Sequence, residues 1–385
     1  MIVEGFHGPG GWAEGRRILG LAERAVGMEW DAAACATASA AGHTVIRCDV
    51  AAYPTAPFKG HIKGKVDSPP CQAWSRAGKG LGLLDQPLVH QAVEDLAHGR
   101  DTRASLLTAC KDKRSLLAAE PMRWHYDLRP EWIAMEEVPD VLPLWKQYAE
   151  VLRGWGYSVW AGTINAADFG VPQTRRRAIL IASRVRPVTA PEPTHTEHAE
   201  EAGLFGPGRA RWVSMAAALG WDAGQLVNTR GERRTPGGND FSADGPSWCL
   251  TEKARSWVLR SGNQPNAAIR RTDEPAPTMA FGNNSARVEW VQHRPATTVC
   301  ATDRIAPPGH RDRSTSGESQ FASPETVRIT QAEAAVLQSF PADYPWHGTK
   351  TKQFEQIGNA VPPLLAAHVL SVAAGVSFLA EQVAA

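Results

Sequence analysis

Two prolines stand directly before a cysteine in Ser68-Pro69-Pro70-Cys71-Gln72. Each proline fixes its own φ and restricts its predecessor, so the thiol is carried on a rigid, extended turn. Such a sulfur sits at the mouth of a sheet, where a thiolate can act as a nucleophile; the bland alternative for one cysteine is a small buried apolar group. The following Ala73–Gln86 stretch carries Gly78, Gly80 and Gly82, which suits a closing lid. A second reactive group is Glu136 in Glu136-Glu137-Val138-Pro139, at the end of the strand-like run Glu131–Glu136. Doubly wound sheets bind ligands at the C-terminal ends of their strands, and a partly desolvated acid there can hold or share a proton near neutral pH. In Gln173-Thr174-Arg175-Arg176-Arg177, strand alternation sends Arg175 and Arg177 to one side and Arg176 to the other, an arrangement suited to phosphate or carboxylate.

Near the N-terminus, Gly8-x-Gly10-x-x-Ala13 follows a strand-like segment and Glu29 comes about 20 residues later, the layout of a nucleotide turn with a ribose-binding acid. On these residues alone a dinucleotide fits as well as an adenosyl ligand. The pair Gly10-Gly11 and the run Glu29-Trp30-Asp31 favour the adenosyl group. Trp30 offers a flat face for adenine, and Asp49 offers an acceptor for its amino group.

These residues need a sheet to position them. Strands are expected at Ile2–Phe6, Thr44–Cys48, His61–Val66, Glu131–Glu136, Tyr157–Ala161 and Ala178–Ala182, with helices at Trp12–Ala25 and Ala32–Ala41. That alternation predicts a doubly wound α/β sheet over the first 185 residues. His61–Val66 is a poor strand by propensity, with Gly and Lys interleaved, and is placed there because the Cys71 turn requires one. From about Arg186 the chain becomes rich in Arg, Pro, Gly, Thr and Trp, and helical periodicity returns at Gln331–Ser339 and Pro362–Leu379. The apolar stretch Leu364–Ala380 reads as a buried helix.

With 385 residues, 43% hydrophobic and 21% charged, the chain can bury one large or two ordinary cores; disordered and disulfide-stapled classes are excluded. The six cysteines lack paired metal-ligand spacing. The opening residues do not form a secretory signal, so a cytoplasmic protein with reduced thiols is expected. The net charge of +1 conceals an asymmetry: residues 171–330 hold 21 Lys and Arg against 16 Asp and Glu, and 20 of those 21 are Arg. Arginine suits bidentate contacts to phosphates and guanine edges.

Taken in order, Phe6-His7-Gly8-Pro9-Gly10-Gly11, Glu29-Trp30-Asp31, Asp49, Pro69-Pro70-Cys71-Gln72, Glu136-Glu137-Val138, Gln173–Arg177 and Gln356-Ile357-Gly358-Asn359-Ala360-Val361 resemble the motif set of the DNA (cytosine-5)-methyltransferase family. Arg114, ahead of Glu136, matches a further family arginine. The resemblance implies a doubly wound mixed sheet of the S-adenosylmethionine-dependent methyltransferase type. Residues 1–185 and 326–385 would form the catalytic domain, and 186–325 a smaller, irregular β-rich target-recognition domain. It implies that Cys71 is the nucleophile, that Glu136 protonates the cytosine ring, that Arg177 contacts the cytosine carbonyl and that Arg175 lies near the thiolate and a phosphate. Phe6, Gly8, Gly10, Gly11, Glu29, Trp30, Asp49, Pro70, Asn359 and Val361 would hold S-adenosylmethionine, with S-adenosylhomocysteine as product and no metal. Gln72, Ser75, Arg76 and Lys79, on a lid spanning Gln72–Gly82, would touch DNA, and Asn359 would brace that loop. The expected partner is double-stranded DNA, bound by a monomer in the cytoplasm, bacterial or phage-encoded and nucleoid-associated when on DNA, without membrane attachment; a cognate restriction endonuclease would act separately. The sequence departs from the family pattern at Glu137, usually Asn, at Ala360, usually a small hydroxyl residue, and at Ala77, often Ser.

Overall fold

The computed structural model describes residues 1–70, 81–203, 208–221, 225–228, 240–250, 258–261, 269–271, 289–291 and 327–378, together with Trp74 and Ala254. Its strands begin with β1 (Ile2–Gly5), β2 (Ala25–Glu29), β3 (Val45–Arg47), β4 (Gly64–Asp67), β5 (Trp132–Glu137), β6 (Ser158–Asn165), β7 (Gln173–Thr174) and β8 (Arg176–Ser183). The helices are α1 (Gly11–Ile18), α2 (Ala32–Ala40), α3 (Leu81–Ala97), α4 (Arg103–Ala109), α5 (Glu120–Leu128), α6 (Leu142–Gly154), α7 (Met215–Leu219), α8 (Gln331–Leu337), α9 (Lys350–Asn359) and α10 (Pro363–Ala374).

Seven strands form one sheet in the order β3-β2-β1-β4-β5-β8-β6. β3, β2, β1, β4 and β5 run parallel, while β8 is antiparallel to both its neighbours. The central strands are buried on both faces, as a sheet covered by helices requires. Alternation divides them. Ile133 and Met135 of β5, with Ala178, Leu180 and Ala182 of β8, pack toward α3, α5 and α6. Trp132 and Ala134, with Ile179 and Ile181, pack toward α1 and α10. The α1–α10 contact is close because Gly15 has no side chain; a Cβ there would stand 2.5 Å from Ala366 Cβ.

The register sets up the site. Met28, Gly5, Asp67 and Met135 are successive partners across β2, β1, β4 and β5. The residues that follow them, Glu29, Phe6, Ser68 and Glu136, therefore lie side by side at the C-terminal edge of the sheet, where open α/β sheets take their ligands.

β4 forms despite its composition for identifiable reasons. A Cβ at Gly64 would stand 2.1 Å from the Trp132 ring, so glycine makes room for that indole. Lys65 is buried, ion-paired with Asp67, and its Nζ lies 5.2 Å from the Trp124 ring centroid. The expected helix from Trp12 to Ala25 is corrected: α1 ends at Ile18, Gly20 takes a φ of +68°, and the chain is already in a strand at Ala25. α9 was not anticipated.

Beyond β8, an antiparallel sheet joins Asp240–Ser242, Gln225–Asn228, Val258–Ser261 and Val327–Arg328. Met215, Trp221, Phe241 and Leu250 share a core with Leu337, Phe340, Tyr344, Trp346, Phe354 and Ile357. The stretch Lys350–Ala374 is long and apolar enough to cross a membrane, but 72% of its most apolar window is buried within the protein, and α10 serves as a core helix.

Candidate active site

Two groups of side chains converge on the C-terminal edge of the sheet. The first surrounds the glycine turn. Phe6, Gly8 and Gly10 all take positive φ, of 56°, 58° and 108°. Glycine adopts this region without strain, whereas Phe6 is held there by its surroundings. The Glu29 carboxylate accepts hydrogen bonds of 2.8 Å from the backbone N–H groups of Gly8, Trp30 and Asp31, which locks the acid against the turn. Beside it, Trp30 is 75% exposed, an open indole face, and Asp49 is exposed on the loop after β3. A Cβ on Gly11 would stand 2.2 Å from the carbonyl oxygen of Val361, so Gly11 permits the approach of the segment leading into α10. His43 and Tyr344 fill the space a side chain at Gly10 would take, and Tyr344 Oη donates to the Pro9 carbonyl at 2.6 Å. A fixed acid, an open indole and a side-chain-free turn fit the ribose, the adenine and the close backbone approach of an adenosyl ligand.

The second group surrounds Glu136, the penultimate residue of β5, which is 5% exposed. Arg177 Nε lies 2.9 Å from Glu136 Oε1 and Arg175 Nη2 3.9 Å from it. Arg175 and Arg177 thus share a side, as strand alternation requires, while Arg176 is exposed. Arg175 is buried, and its Nη1 donates to the Gly358 carbonyl at 2.7 Å, tying the junction of β7 and β8 to the end of α9. Asn359, the next residue, is exposed at that helix end. Arg114 is ion-paired with Asp112.

Glu137 is fully buried; burial first, then the neighbouring charge of Glu136, pushes its carboxyl well above the usual range. The shift favours the neutral form, which carries no charge, like the amide usual at this position. Folding with a carboxyl whose pKa is raised adds stability below the unfolded pKa and loses it as pH rises toward the folded value. Glu137→Gln should accordingly raise the melting temperature, relative to the unsubstituted protein, by more at pH 8 than at pH 5. A gain that is equal at both pH values, or larger at pH 5, would show that Glu137 is ionised.

Two residues that the sequence did not single out complete the site. Cys249, on the segment after the Ser247–Trp248 strand, points its Sγ at Arg175 Nη1 (3.6 Å) and Arg177 Nη2 (3.8 Å). Gln338, fully buried at the end of α8, accepts from Gln173 Nε2 at 2.5 Å and donates to the Ala360 carbonyl at 2.6 Å. Gln173 Oε1 in turn accepts the Leu250 N–H at 3.3 Å. Two buried amides thus bind the arginine strand, the Gly358–Ala360 turn and the Cys249 segment together.

Cys71, Gln72, Ser75, Arg76 and Lys79 lie outside the described residues, as does most of the expected lid. At its edges the lid is corrected: Trp74 is completely buried among residues of α3, α5 and α6, and Leu81–Gln86 is the first part of α3. Pro70, half-buried, is the last described residue before Cys71. The strand leading to it is anchored by the buried Lys65–Asp67 pair and by Trp12 Nε1, which donates to Ser68 Oγ at 2.8 Å.

Comparison with known proteins agrees with this geometry. The model of the family described as C-5 cytosine-specific DNA methylase matches residues 102–373. The type II methyltransferase M1.HphI of Haemophilus parahaemolyticus is 28% identical over 378 residues, 94% of this chain and 84% of that protein. M.XorII of Xanthomonas oryzae is 30% identical over 284 residues, 68% of this chain and 62% of that protein. Among solved structures, the S. pombe Dnmt2 methyltransferase superposes with a TM-score of 0.55 at 14% identity, covering 97% of this chain and 98% of the other. The Entamoeba histolytica methyltransferase EhMeth gives 0.54 at 12% identity, covering 96% of each chain. With the family's sequence pattern spanning most of its length, this chain belongs to the C-5 cytosine-specific DNA methylases, enzymes that use S-adenosylmethionine to methylate cytosine in DNA.

Proposed function

We propose that the chain methylates carbon 5 of a cytosine extruded from a specific double-stranded sequence, through a covalent bond between Cys71 and carbon 6. The observation that carries this reading is the Glu136 carboxylate at the sheet edge, 2.9 Å from Arg177 Nε and one strand away from the turn that leads to Cys71. Carbon 5 of cytosine is a poor nucleophile. Addition of the Cys71 thiolate forms an S–C6 bond and moves the C5–C6 π pair toward carbon 5, while Glu136 delivers a proton to ring nitrogen 3. Arg177 holds the cytosine carbonyl and orients Glu136; Arg175 faces the thiolate and a backbone phosphate, where a cation favours ionised sulfur. S-adenosylmethionine, held by Phe6, Gly8, Gly10, Gly11, Glu29, Trp30, Asp49, Pro70, Asn359 and Val361, supplies an electrophilic methyl group. Removal of the carbon-5 proton then re-forms the double bond and expels the Cys71 thiolate, and ring nitrogen 3 returns its proton to Glu136.

The base must leave the helix for the sulfur to reach carbon 6, at a cost of a few kcal/mol. Gln72, Ser75, Arg76 and Lys79 offset that cost through phosphate and gap-filling contacts, with Asn359 bracing their loop. Residues 186–325 read the target sequence; 1–185 and 326–385 carry the chemistry. Within the recognition region 15 of the 16 basic residues are Arg, the residue suited to bidentate contacts with phosphates and guanine edges, which supports DNA as its partner. Acting as a monomer inside a bacterial cell, the enzyme would protect DNA against a cognate restriction endonuclease; the relative M1.HphI is named a type II methyltransferase.

Incubation with labelled S-adenosylmethionine and cytosine-containing duplex DNA tests the assignment. The unsubstituted protein should transfer label to DNA and Cys71→Ala should transfer none. Persistent transfer in Cys71→Ala would remove Cys71 from the mechanism.

A further inference from the structure

Arg175 and Arg177 present two guanidinium groups to the single carboxyl group of Glu136. A third polar group faces the pair. Cys249 Sγ lies 3.6 Å from Arg175 Nη1 and 3.8 Å from Arg177 Nη2, bridging both guanidinium ends. The sulfur does not come from the catalytic strands. It rides on a segment docked by the Ser247–Trp248 pairing with Gln173–Thr174. Ser247 N–H donates to the Pro172 carbonyl at 2.9 Å, Thr174 Oγ1 donates to the Ser247 carbonyl at 3.2 Å and Leu250 N–H donates to Gln173 Oε1 at 3.3 Å. The segment belongs to the region assigned to target recognition, yet its cysteine ends against the arginines that face the reacting base.

We propose that Cys249 is a positioning residue for methylation: its sulfur, delivered by the recognition region, holds the guanidinium ends of Arg175 and Arg177 in line with Glu136, so that their alignment is complete when that segment is docked. An arriving phosphate or cytosine carbonyl then meets cations already in place, and displacement of the segment removes their one shared sulfur partner while Arg175 keeps its bond to the Gly358 carbonyl. Burial alone would push the Cys249 thiol up, but the adjacent Arg175 and Arg177 outweigh it and hold the thiol below its ordinary range; burial pushes Cys35, Cys48 and Cys110 upward. The proposal rests on the placement of Glu136 and Arg177 at the base, so its test includes one arm that does not depend on methylation.

In that arm, the full chain carrying Cys71→Ser is treated with dithiobisnitrobenzoate, a dianionic disulfide, and the labelled cysteines are identified by peptide mass spectrometry. A thiolate attacks one sulfur of the reagent, the S–S bond breaks, and thionitrobenzoate leaves with the electron pair. Cys249 should react at least about tenfold faster than Cys35, Cys48 or Cys110, because the thiolate is the reactive form. Adding Arg177→Gln should slow it several-fold, and a cytosine-containing duplex should protect it. In the second arm, Cys249→Ala in the otherwise unsubstituted protein should lower kcat by about tenfold or more, since small misalignments of catalytic groups are costly. KM for S-adenosylmethionine should change little, the pH profile should shift, and Cys249→Ser should restore most of the rate. Labelling of Cys249 no faster than of the other three and indifferent to Arg177→Gln would overturn the placement. Unchanged kcat and pH profile in Cys249→Ala would overturn the positioning role even with fast labelling. Methylation that survived Cys71→Ala would instead strike the assigned nucleophile and leave the labelling result standing.

Discussion

Glu136→Gln should lower kcat by about 10²- to 10⁴-fold, the usual contribution of a positioned acid or base, while duplex binding changes by far less. The substitution preserves shape and a hydrogen-bonding oxygen, but an amide cannot pass a proton to ring nitrogen 3 and leaves the Arg175–Arg177 pair without its carboxylate. Single-turnover methylation with saturating S-adenosylmethionine separates this chemical defect from weaker binding. A variant within threefold of the unsubstituted rate would mean that Glu136 only shapes the pocket.

The second large effect concerns stability. Lys65 and Asp67 are among the most buried charges in the protein, paired within a parallel strand. Burial pulls the Lys65 ammonium down and Asp67 opposes that shift. Asp67 Oδ2 also lies 3.4 Å from His125 Nε2, joining β4 to α5. α5 continues the connection, because Glu120 pairs with Arg103 and Arg123, and Arg123 donates to the Val50 and Tyr53 carbonyls next to Asp49. Asp67→Asn strands a buried ammonium and should cost about 3–5 kcal/mol. Lys65→Met combined with Asp67→Asn removes both charges and should recover more than half of that loss in urea melts. A double variant as unstable as the single one would show that the pair matters for its shape and not for its charge.

How much of this was legible before the structure depends on the range of the interactions. Strand alternation assigned β5 and β8 within a residue or two and put Arg175 and Arg177 on one side, because both facts are local. The glycine turn and Glu29 were legible for the same reason, since they bond to each other across adjacent strands. β4 was placed by need alone, because its stability comes from Asp67, Trp124 and Trp132, and no propensity scale contains those partners. The end of α1 was overrun because its stop signal is the single residue Gly20, whose left-handed backbone is visible only in three dimensions. Cys249 and Gln338 act on partners more than seventy residues distant or across three segments. Neither partnership leaves a local signal: Cys249 sits in the Arg-, Pro- and Thr-rich region after Arg186, and Gln338 near the end of the helical stretch Gln331–Ser339.

Covalent capture is the most direct test of the chemistry. A duplex containing the target sequence with 5-fluorocytosine at the methylated position is incubated with the protein and S-adenosylmethionine, then digested for mass spectrometry. Because fluorine cannot leave as the proton does, the account predicts a stable adduct joining the Cys71 peptide to a methylated, fluorinated pyrimidine, absent without S-adenosylmethionine and absent in Cys71→Ala. Methylation of ordinary cytosine by the same preparation, with no adduct or with one on a different cysteine, would contradict it.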